Sequence, residues 1–450
     1  MSASIFKAYD IRGLVDEEIT PDFTFAVGAA FARFLKLERE PGTVVIGQDM
    51  RPSSPDLADA FSAGVISQGF DVIRVGLAST DLLYFAAGKL NLPGAMFTAS
   101  HNPAAYNGIK LCLSGARPIG KESGLLAIEK FVEEGIPLSI HQFGVENTRD
   151  MLDEYVSHLL SLVELDDIKP LKVVIDAGNG MAGHTAPAVF KRLNAEVIEM
   201  YFELDGSFPN HEANPIDPAN LKDLQAAVLK HGADIGLAFD GDADRCFLVD
   251  ERGELVNPSS LTSLIATREL AKFPGSTIIH NLISSKAVQE VVAEHGGKSV
   301  RSRVGHSYIK KLMAETNAVF GGEHSGHFYF REFWKADSGM LAALHAIAAL
   351  GEADVSLSEL LAPYNRYISS GEINSTVLDA PTAVAKIENI YSSMEGVSTD
   401  HLDGLTVTSD AWWFNLRASN TEPLLRLNVE ADNQAQMKAI RDEVLSIIRA

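Results

Sequence analysis

Two segments of this chain carry residue types suited to group transfer: Thr98-Ala-Ser-His-Asn-Pro103 and Asp240-Gly-Asp-Ala-Asp-Arg245. The first offers a hydroxyl nucleophile, Ser100, beside the imidazole of His101 and the amide of Asn102. The second sets carboxylates at alternate positions, Asp240, Asp242 and Asp244, an oxygen-rich group that a hard divalent cation favours. These acids follow the apolar run Ile235-Gly-Leu-Ala-Phe239, and carboxylates so close repel one another unless a cation joins them. Magnesium suits such an incomplete shell, because it readily takes further oxygens from a phosphate, here one carried on Ser100. The pair of segments points to metal-assisted phosphoryl transfer through a serine; a solvated acidic turn is the bland alternative.

The elements that must position these residues follow one recurring grammar of β-branched run, turn, amphipathic helix and second run. Thr43-Val-Val-Ile-Gly leads through Arg51-Pro-Ser-Ser-Pro55 to a helix over 56–68 and the run Asp71-Val-Ile-Arg-Val, with the serine before Pro55 as N-cap. The pattern returns at Lys172-Val-Val-Ile-Asp, a helix over 186–193 and Glu196-Val-Ile-Glu-Met. It returns again at Thr277-Ile-Ile-His-Asn, a helix over 286–294, Ser299-Val-Arg-Ser-Arg and a helix over 308–315. Beyond Ser370 the order becomes β-α-β-β-β-α, with a last helix over 434–448. The predicted fold class is α/β: three tandem α/β domains with mixed sheets, then a C-terminal α+β domain with an antiparallel sheet. The boundaries fall at 1–150, 151–254, 255–368 and 369–450.

Composition sets the limits. A chain of 450 residues, 46% hydrophobic and 22% charged, is a globular protein of several domains. The formal charge of -22 argues against nucleic acid as a partner, and an anionic sugar would need locally positive walls. Cys112 and Cys246 each lie in an apolar run and read as buried reduced thiols. Neither a signal peptide nor an apolar stretch of about 18 residues is evident, so a cytoplasmic protein without a membrane partner is expected.

Other motifs compete. Gly178-Asn-Gly-Met-Ala-Gly183 matches a dinucleotide fingerprint between strand and helix, with Glu199 beyond it, and would suit an NAD-dependent oxidoreductase. Asp176 would then stand against the pyrophosphate, so a tight structural turn is the better reading. Gly115-Ala-Arg-Pro-Ile-Gly-Lys-Glu122 misses a P-loop, having Glu122 where a metal-holding hydroxyl belongs and Pro118 where a backbone donor is needed. Asp240, Asp242, Asp244 and Glu251 match EF-hand positions, but Arg245 replaces the required glycine and the flanks read as strands.

Taken with Gly322-Glu-His-Ser-Gly-His327 and Arg417-Ala-Ser-Asn-Thr-Glu-Pro423, the two opening segments resemble the signature loops of the α-D-phosphohexomutases, in order and one per domain. The resemblance covers essentially the whole chain and implies domains arranged around a central cleft. Asn420 and His324 stand where the phosphoglucosamine mutase branch tends to have Gly and Gln, which favours the phosphomannomutase and phosphoglucomutase branch. Phosphoglucomutase and phosphoglucosamine mutase are the alternative activities, and a non-catalytic sugar-phosphate binding protein is a further one.

The resemblance implies exchange of mannose 1-phosphate and mannose 6-phosphate, with phosphoglucomutase activity beside it, through phosphorylated Ser100 and a hexose 1,6-bisphosphate. It implies Mg2+ on Asp240, Asp242, Asp244 and the Ser100 phosphate, and a monomer or weak homodimer. Lys110, Arg245 and Arg12 would offset charge on the transferring group, while His101 relays a proton. Glu323 and Ser325 would hold sugar hydroxyls, and Arg417, Ser419, Asn420 and Thr421 the phosphate that is not reacting. Tyr9, Asn102 and His306 complete the implied substrate contacts. One departure stands out: Asn281-Leu-Ile-Ser-Ser-Lys286 sets Ile283 where many members have a substrate-binding lysine.

Overall fold

The β-branched run Thr43–Gln48 forms a strand with a buried middle, and it pairs in parallel with Asp71–Leu77 and Gly94–Phe97. This is the expected βαβ unit, seen in a computed structural model that describes residues 5–137, 143–166, 168–377, 379–418 and 424–449; the side chains of His306 and Ser307 lie outside that description. The chain divides into two compact units, Met1–Val256 with Ser325–Leu360, and Asn257–His324 with Leu361–Ala450.

In the first unit, one sheet runs in the order Ile11–Leu14, Tyr106–Leu113, Gly94–Phe97, Thr43–Gln48, Asp71–Leu77, Glu146–Thr148, and Arg117–Pro118 pairs at its side. It is mixed, since Tyr106–Leu113 is antiparallel to both neighbours. A second mixed sheet runs Cys246–Asp250, Ile235–Phe239, Leu171–Asp176, Ala195–Met200, parallel except for its first strand. The same unit holds the antiparallel pair Phe328–Phe330 and Ala336–Asp337 and the helix Gly339–Glu352, buried from Gly339 to Gly351. Both cysteines are free and buried.

In the second unit, Thr277–Asn281 pairs in parallel with Lys298–Ser302 and Phe320–Gly322. A five-stranded antiparallel sheet follows, in the order Ile368–Thr376, Leu424–Ala431, Trp412–Ala418, Leu405–Thr408, Ser398–Asp400. The helices Ala380–Tyr391 and Gln434–Ile448 cover it around a core that includes Tyr391, Phe414, Leu427 and Val444. The short strand Ser398–Asp400 was absent from the sequence reading, because Ser-Thr-Asp has none of the apolar alternation that marks a strand.

Two local expectations shift. Ser54 does not cap its helix: it lies inside Ser54–Ile66 and donates to Asp49 Oδ1 at 2.6 Å, while Ser53 precedes the helix with no side-chain cap bond. The helix expected over 186–193 spans Ala182–Phe190, with Pro187 inside it. Pro187 is the sixth residue of that helix, and its missing N–H forfeits an interior bond, the one to the carbonyl of Gly183.

Candidate active site

Ser100 lies in the turn after the strand Gly94–Phe97, with a left-handed φ of 50° that few side chains adopt. Its backbone N–H is held by Thr98 Oγ1 at 2.9 Å. The turn is gripped from below by Arg51, whose fully buried guanidinium donates to the carbonyls of Ser100, Asn102, Pro103 and Tyr106 at 2.7–3.0 Å and pairs with Asp49 at 3.2 Å. A guanidinium is the side chain whose fixed fork can hold so many acceptors at once.

The acidic loop reaches the same point from the turn between Ile235–Phe239 and Cys246–Asp250. Ser100 Oγ donates to Asp240 Oδ2 at 2.8 Å, and Arg245 Nη2 lies 3.4 Å from the same hydroxyl. One oxygen from each of Asp240, Asp242 and Asp244 falls within 4.8 Å of the others. Lys110 Nζ, from the strand Tyr106–Leu113, bridges Asp242 Oδ2 and Asp244 Oδ2 at 2.6 Å each. The remaining oxygens, Asp242 Oδ1 and Asp244 Oδ1, are buried without a hydrogen-bond partner. Buried anionic oxygens left so are costly, and a divalent cation on these hard donors removes the cost; the residues present fit the metal.

The electrostatics agree with a site built for cationic ligands. Burial, with Asp244 and Asp242 alongside, raises the Asp240 carboxyl well above its ordinary range. Burial opposes the charge of Asp242 too, but Lys110 and Thr80 outweigh it and hold that carboxyl low. Lys110 is itself held well above its ordinary range, because Asp242 and Asp244 overcome its burial. For His101 the Arg245 guanidinium, then burial and Arg12, push the imidazole down to about 2. Arg245 Nη2 stands 2.6 Å from His101 Nδ1, so this nitrogen is an acceptor on a neutral ring.

Arg12, on the strand Ile11–Leu14, donates to Asn102 Oδ1 at 2.6 Å and pairs with Asp10. Arg12 is thereby tied to the Ser100 turn through Asn102. Tyr9 is half-buried in the turn before that strand. Ser325 is half-buried, and the backbone after it joins the acidic loop through Cys246 N–H to Gly326 O at 3.2 Å and a bridge between Arg245 and His327.

His327 was missed by sequence reasoning. Buried at 8% exposure, its Nδ1 lies 2.9 Å from Asp337 Oδ2 and 3.6 Å from Asp244 Oδ1. Burial opposes its charge, yet Asp244 and Asp337 raise its pKa above the ordinary value. The signal was present as the last residue of Gly322-Glu-His-Ser-Gly-His327, but nothing local links it to Asp337. Arg51 left still less trace, since its partners are main-chain carbonyls.

The dinucleotide-like motif has a different task. A Cβ on Gly180 would stand 2.7 Å from Gly241 O, and one on Gly241 would stand 2.4 Å from Ser100 O. Met181 N–H also donates to Gly241 O at 2.9 Å. The glycines let backbone approach backbone, as a pyrophosphate turn does, but the chain brought close is the acidic loop. Asp176 accepts from Gly178 N–H at 2.9 Å and pairs with His211 at 3.0 Å, occupying the place a pyrophosphate would need.

In the second unit, Glu323 is buried and accepts from Gly305 N–H at 3.0 Å, tying down the start of the helix His306–Thr316. Arg417 sits opposite Arg426 on adjacent strands, and Glu372 lies between them at 3.6 and 3.7 Å, with Asp403 3.5 Å from Arg417. Two cations directly opposed repel unless an acid or an anionic ligand intervenes. Ser419, Asn420 and Thr421 lie outside the described residues, as does the His306 side chain. Ile283 and Lys286 flank the N-terminus of the helix Lys286–Glu294, where Lys286 Nζ donates to Asp410 O at 3.0 Å.

Comparison with known proteins agrees with this geometry. Four models of phosphoglucomutase/phosphomannomutase match in order: alpha/beta/alpha domains I, II and III over residues 3–137, 153–253 and 257–367, and the C-terminal domain over 372–447. Phosphohexose mutases of Xanthomonas campestris are 41% identical over 448 residues, covering 99% of each chain. A phosphomannomutase of Escherichia coli is 40% identical, covering 98% of this chain and 97% of its own. A crystal structure of a phosphoglucomutase/phosphomannomutase family protein from Burkholderia thailandensis superposes with a TM-score of 0.91 at 32% identity, covering 100% of this chain and 98% of that one. With all four domains present in sequence and the fold shared along the whole length, the chain belongs to the phosphoglucomutase/phosphomannomutase family.

Proposed function

We propose that this chain is a phosphomannomutase, interconverting mannose 1-phosphate and mannose 6-phosphate, with glucose phosphates as second substrates. Relatives named phosphomannomutase that match nearly end to end support the sugar. The observation that carries the chemistry is Ser100 Oγ, held 2.8 Å from Asp240 in a wall of buried carboxylates and cations.

In the first half-reaction the P–O bond to Ser100 Oγ breaks as one forms to the free sugar hydroxyl, whose proton passes to a base. In the second, the phosphate at the other end of the bisphosphate returns to Ser100 Oγ, and the proton returns to the oxygen it leaves. Mg2+ on Asp240, Asp242, Asp244 and the Ser100 phosphate would offset charge on the transferring group. Arg245, Lys110 and Arg12 add fixed positive charge around it, and Asn102 orients Arg12. His101, neutral and accepting from Arg245, is better suited to fixing the guanidinium beside Ser100 than to relaying a proton. His327, with Nδ1 fixed by Asp337, is the imidazole suited to exchange the hydroxyl proton.

Substrate contacts are assigned to Tyr9, Glu323, Ser325 and His306 for the sugar, and to Arg417, Ser419, Asn420 and Thr421 for the phosphate at rest. Glu323 and Ser325 supply a carboxylate and a hydroxyl that can bridge vicinal hydroxyls, which both orientations of a bisphosphate present. The domains carrying these roles span 1–150, 151–254, 255–368 and 369–450. Among the described residues no single helix is long and apolar enough to cross a membrane.

The test is initial rates with mannose 1-phosphate and glucose 1-phosphate, each with Mg2+ and trace hexose 1,6-bisphosphate, on wild type and Ser100→Ala. Turnover in wild type alone supports the serine mutase, and the ratio of kcat/KM values names the preferred sugar. Normal turnover in Ser100→Ala would overturn it.

A further inference from the structure

The carboxylate oxygens of the acidic loop are sorted. Asp242 Oδ2 accepts from Lys110 Nζ and from Thr80 Oγ1, each at 2.6 Å, whereas Asp242 Oδ1 has no hydrogen-bond partner. Thr80 also donates its backbone N–H to Asp242 O at 3.0 Å. It therefore grips the residue at main chain and side chain together. Thr80 is wholly buried and opens the helix Thr80–Leu90, whose N-cap Ser79 accepts from Leu82 N–H at 3.3 Å. A β-branched residue in a helix has few χ1 choices, so the hydroxyl is aimed rather than free to turn.

We propose that Thr80 is a positioning residue for the cation site: it turns Asp242 so that Oδ2 faces Lys110 and Oδ1 is presented to the metal. The inference rests on the metal reading given above. Without the hydroxyl, the Asp242 carboxylate can rotate about its terminal torsion, which is soft, and offer its oxygens interchangeably to Lys110 and the cation. Outer partners of metal ligands typically carry about 10–100-fold in metal affinity.

Thr80→Val keeps the branched shape and the backbone N–H but lacks the hydroxyl, and Thr80→Ser restores it. Mn2+ binding to the unphosphorylated protein, followed by loss of the free-ion EPR signal, is compared among wild type, both variants and Asp242→Asn. The Mg2+ dependence of kcat and the KM for mannose 1-phosphate are measured alongside. Thr80→Val should weaken Mn2+ about tenfold or more and raise the Mg2+ needed for half-maximal kcat in parallel, with KM for the sugar unchanged. Thr80→Ser should recover most of that loss. If wild type and Thr80→Val bind Mn2+ alike while Asp242→Asn does not bind, the Thr80 inference fails and the metal reading stands. If Thr80→Ser is as weak as Thr80→Val, packing and not the hydroxyl is responsible, and the inference is overturned. If wild type binds no Mn2+ either unphosphorylated or phosphorylated at Ser100, the metal reading falls and the inference with it.

Discussion

Burying a guanidinium is expensive unless each of its donors is met, and Arg51 meets that condition with four carbonyls of the Ser100 turn and the Asp49 carboxylate. Lysine cannot reproduce the fork. Arg51→Lys should therefore cost about 3–5 kcal/mol of stability in urea unfolding; a loss below about 1 kcal/mol would mean the carbonyls are met in another way. Asp81 gives a pH-dependent counterpart. Burial outweighs the bonds from Ser338, Ser79 and Tyr155 and pushes its carboxyl up to about 6 from 3.8. A raised folded pKa favours the protonated form, so its stabilising share is full below the unfolded value and is lost as pH rises from about 4 to about 6. Asp81→Asn should remove roughly 3 kcal/mol of that pH dependence, seen as a flatter unfolding free energy across the window; parallel profiles for both proteins would contradict it. Ser100, Asp240, Asp242 and Asp244 were legible as residue types at telling spacings. Arg51 and His327 were not: Arg51 is met mostly by main-chain carbonyls of the Ser100 turn, and His327 by acids remote in sequence.

Between elements, a stack of close backbone contacts runs from Gly180 through Gly241 to Ser100. Gly180 has no positive φ to explain it, so its lack of a side chain serves the contact alone. Gly180→Ala should push the acidic loop toward the serine and lower kcat by about 10–100-fold, with KM for the sugar little changed; an unchanged kcat in a normally folded variant would detach the motif from the site. Sequence pattern signalled a close approach at Gly178–Gly183 but could not say what approached. Helix and strand periods carried most of the elements, and the helix Lys286–Glu294 falls where its apolar spacing puts it. Where side-chain chemistry had a second use the reading slipped: Ser54 looked like a cap, but its hydroxyl is taken by Asp49 and Asn107.

For the whole molecule, a net charge of -22 repels a sugar phosphate at long range, while the cations that matter are gathered next to Ser100 and around Glu372. Composition could show the first and not the second, since proximity across the chain is a property of the fold. The antiparallel domain has a core drawn from its own residues, from Ile373 to Ile448. The segment 369–450 alone should therefore fold, with a stability of only about 3–5 kcal/mol for its size; an unfolded amide spectrum by NMR would show that it depends on the rest of the chain. The central claim is that Ser100 carries the phosphoryl group. The most direct measurement is mass spectrometry of the Ser100 peptide after treatment with hexose 1,6-bisphosphate, before and after mixing with excess mannose 1-phosphate. The account predicts a phosphoryl group on Ser100 that leaves as mannose 1,6-bisphosphate appears; a peptide never phosphorylated at Ser100, in protein that turns over, would contradict it.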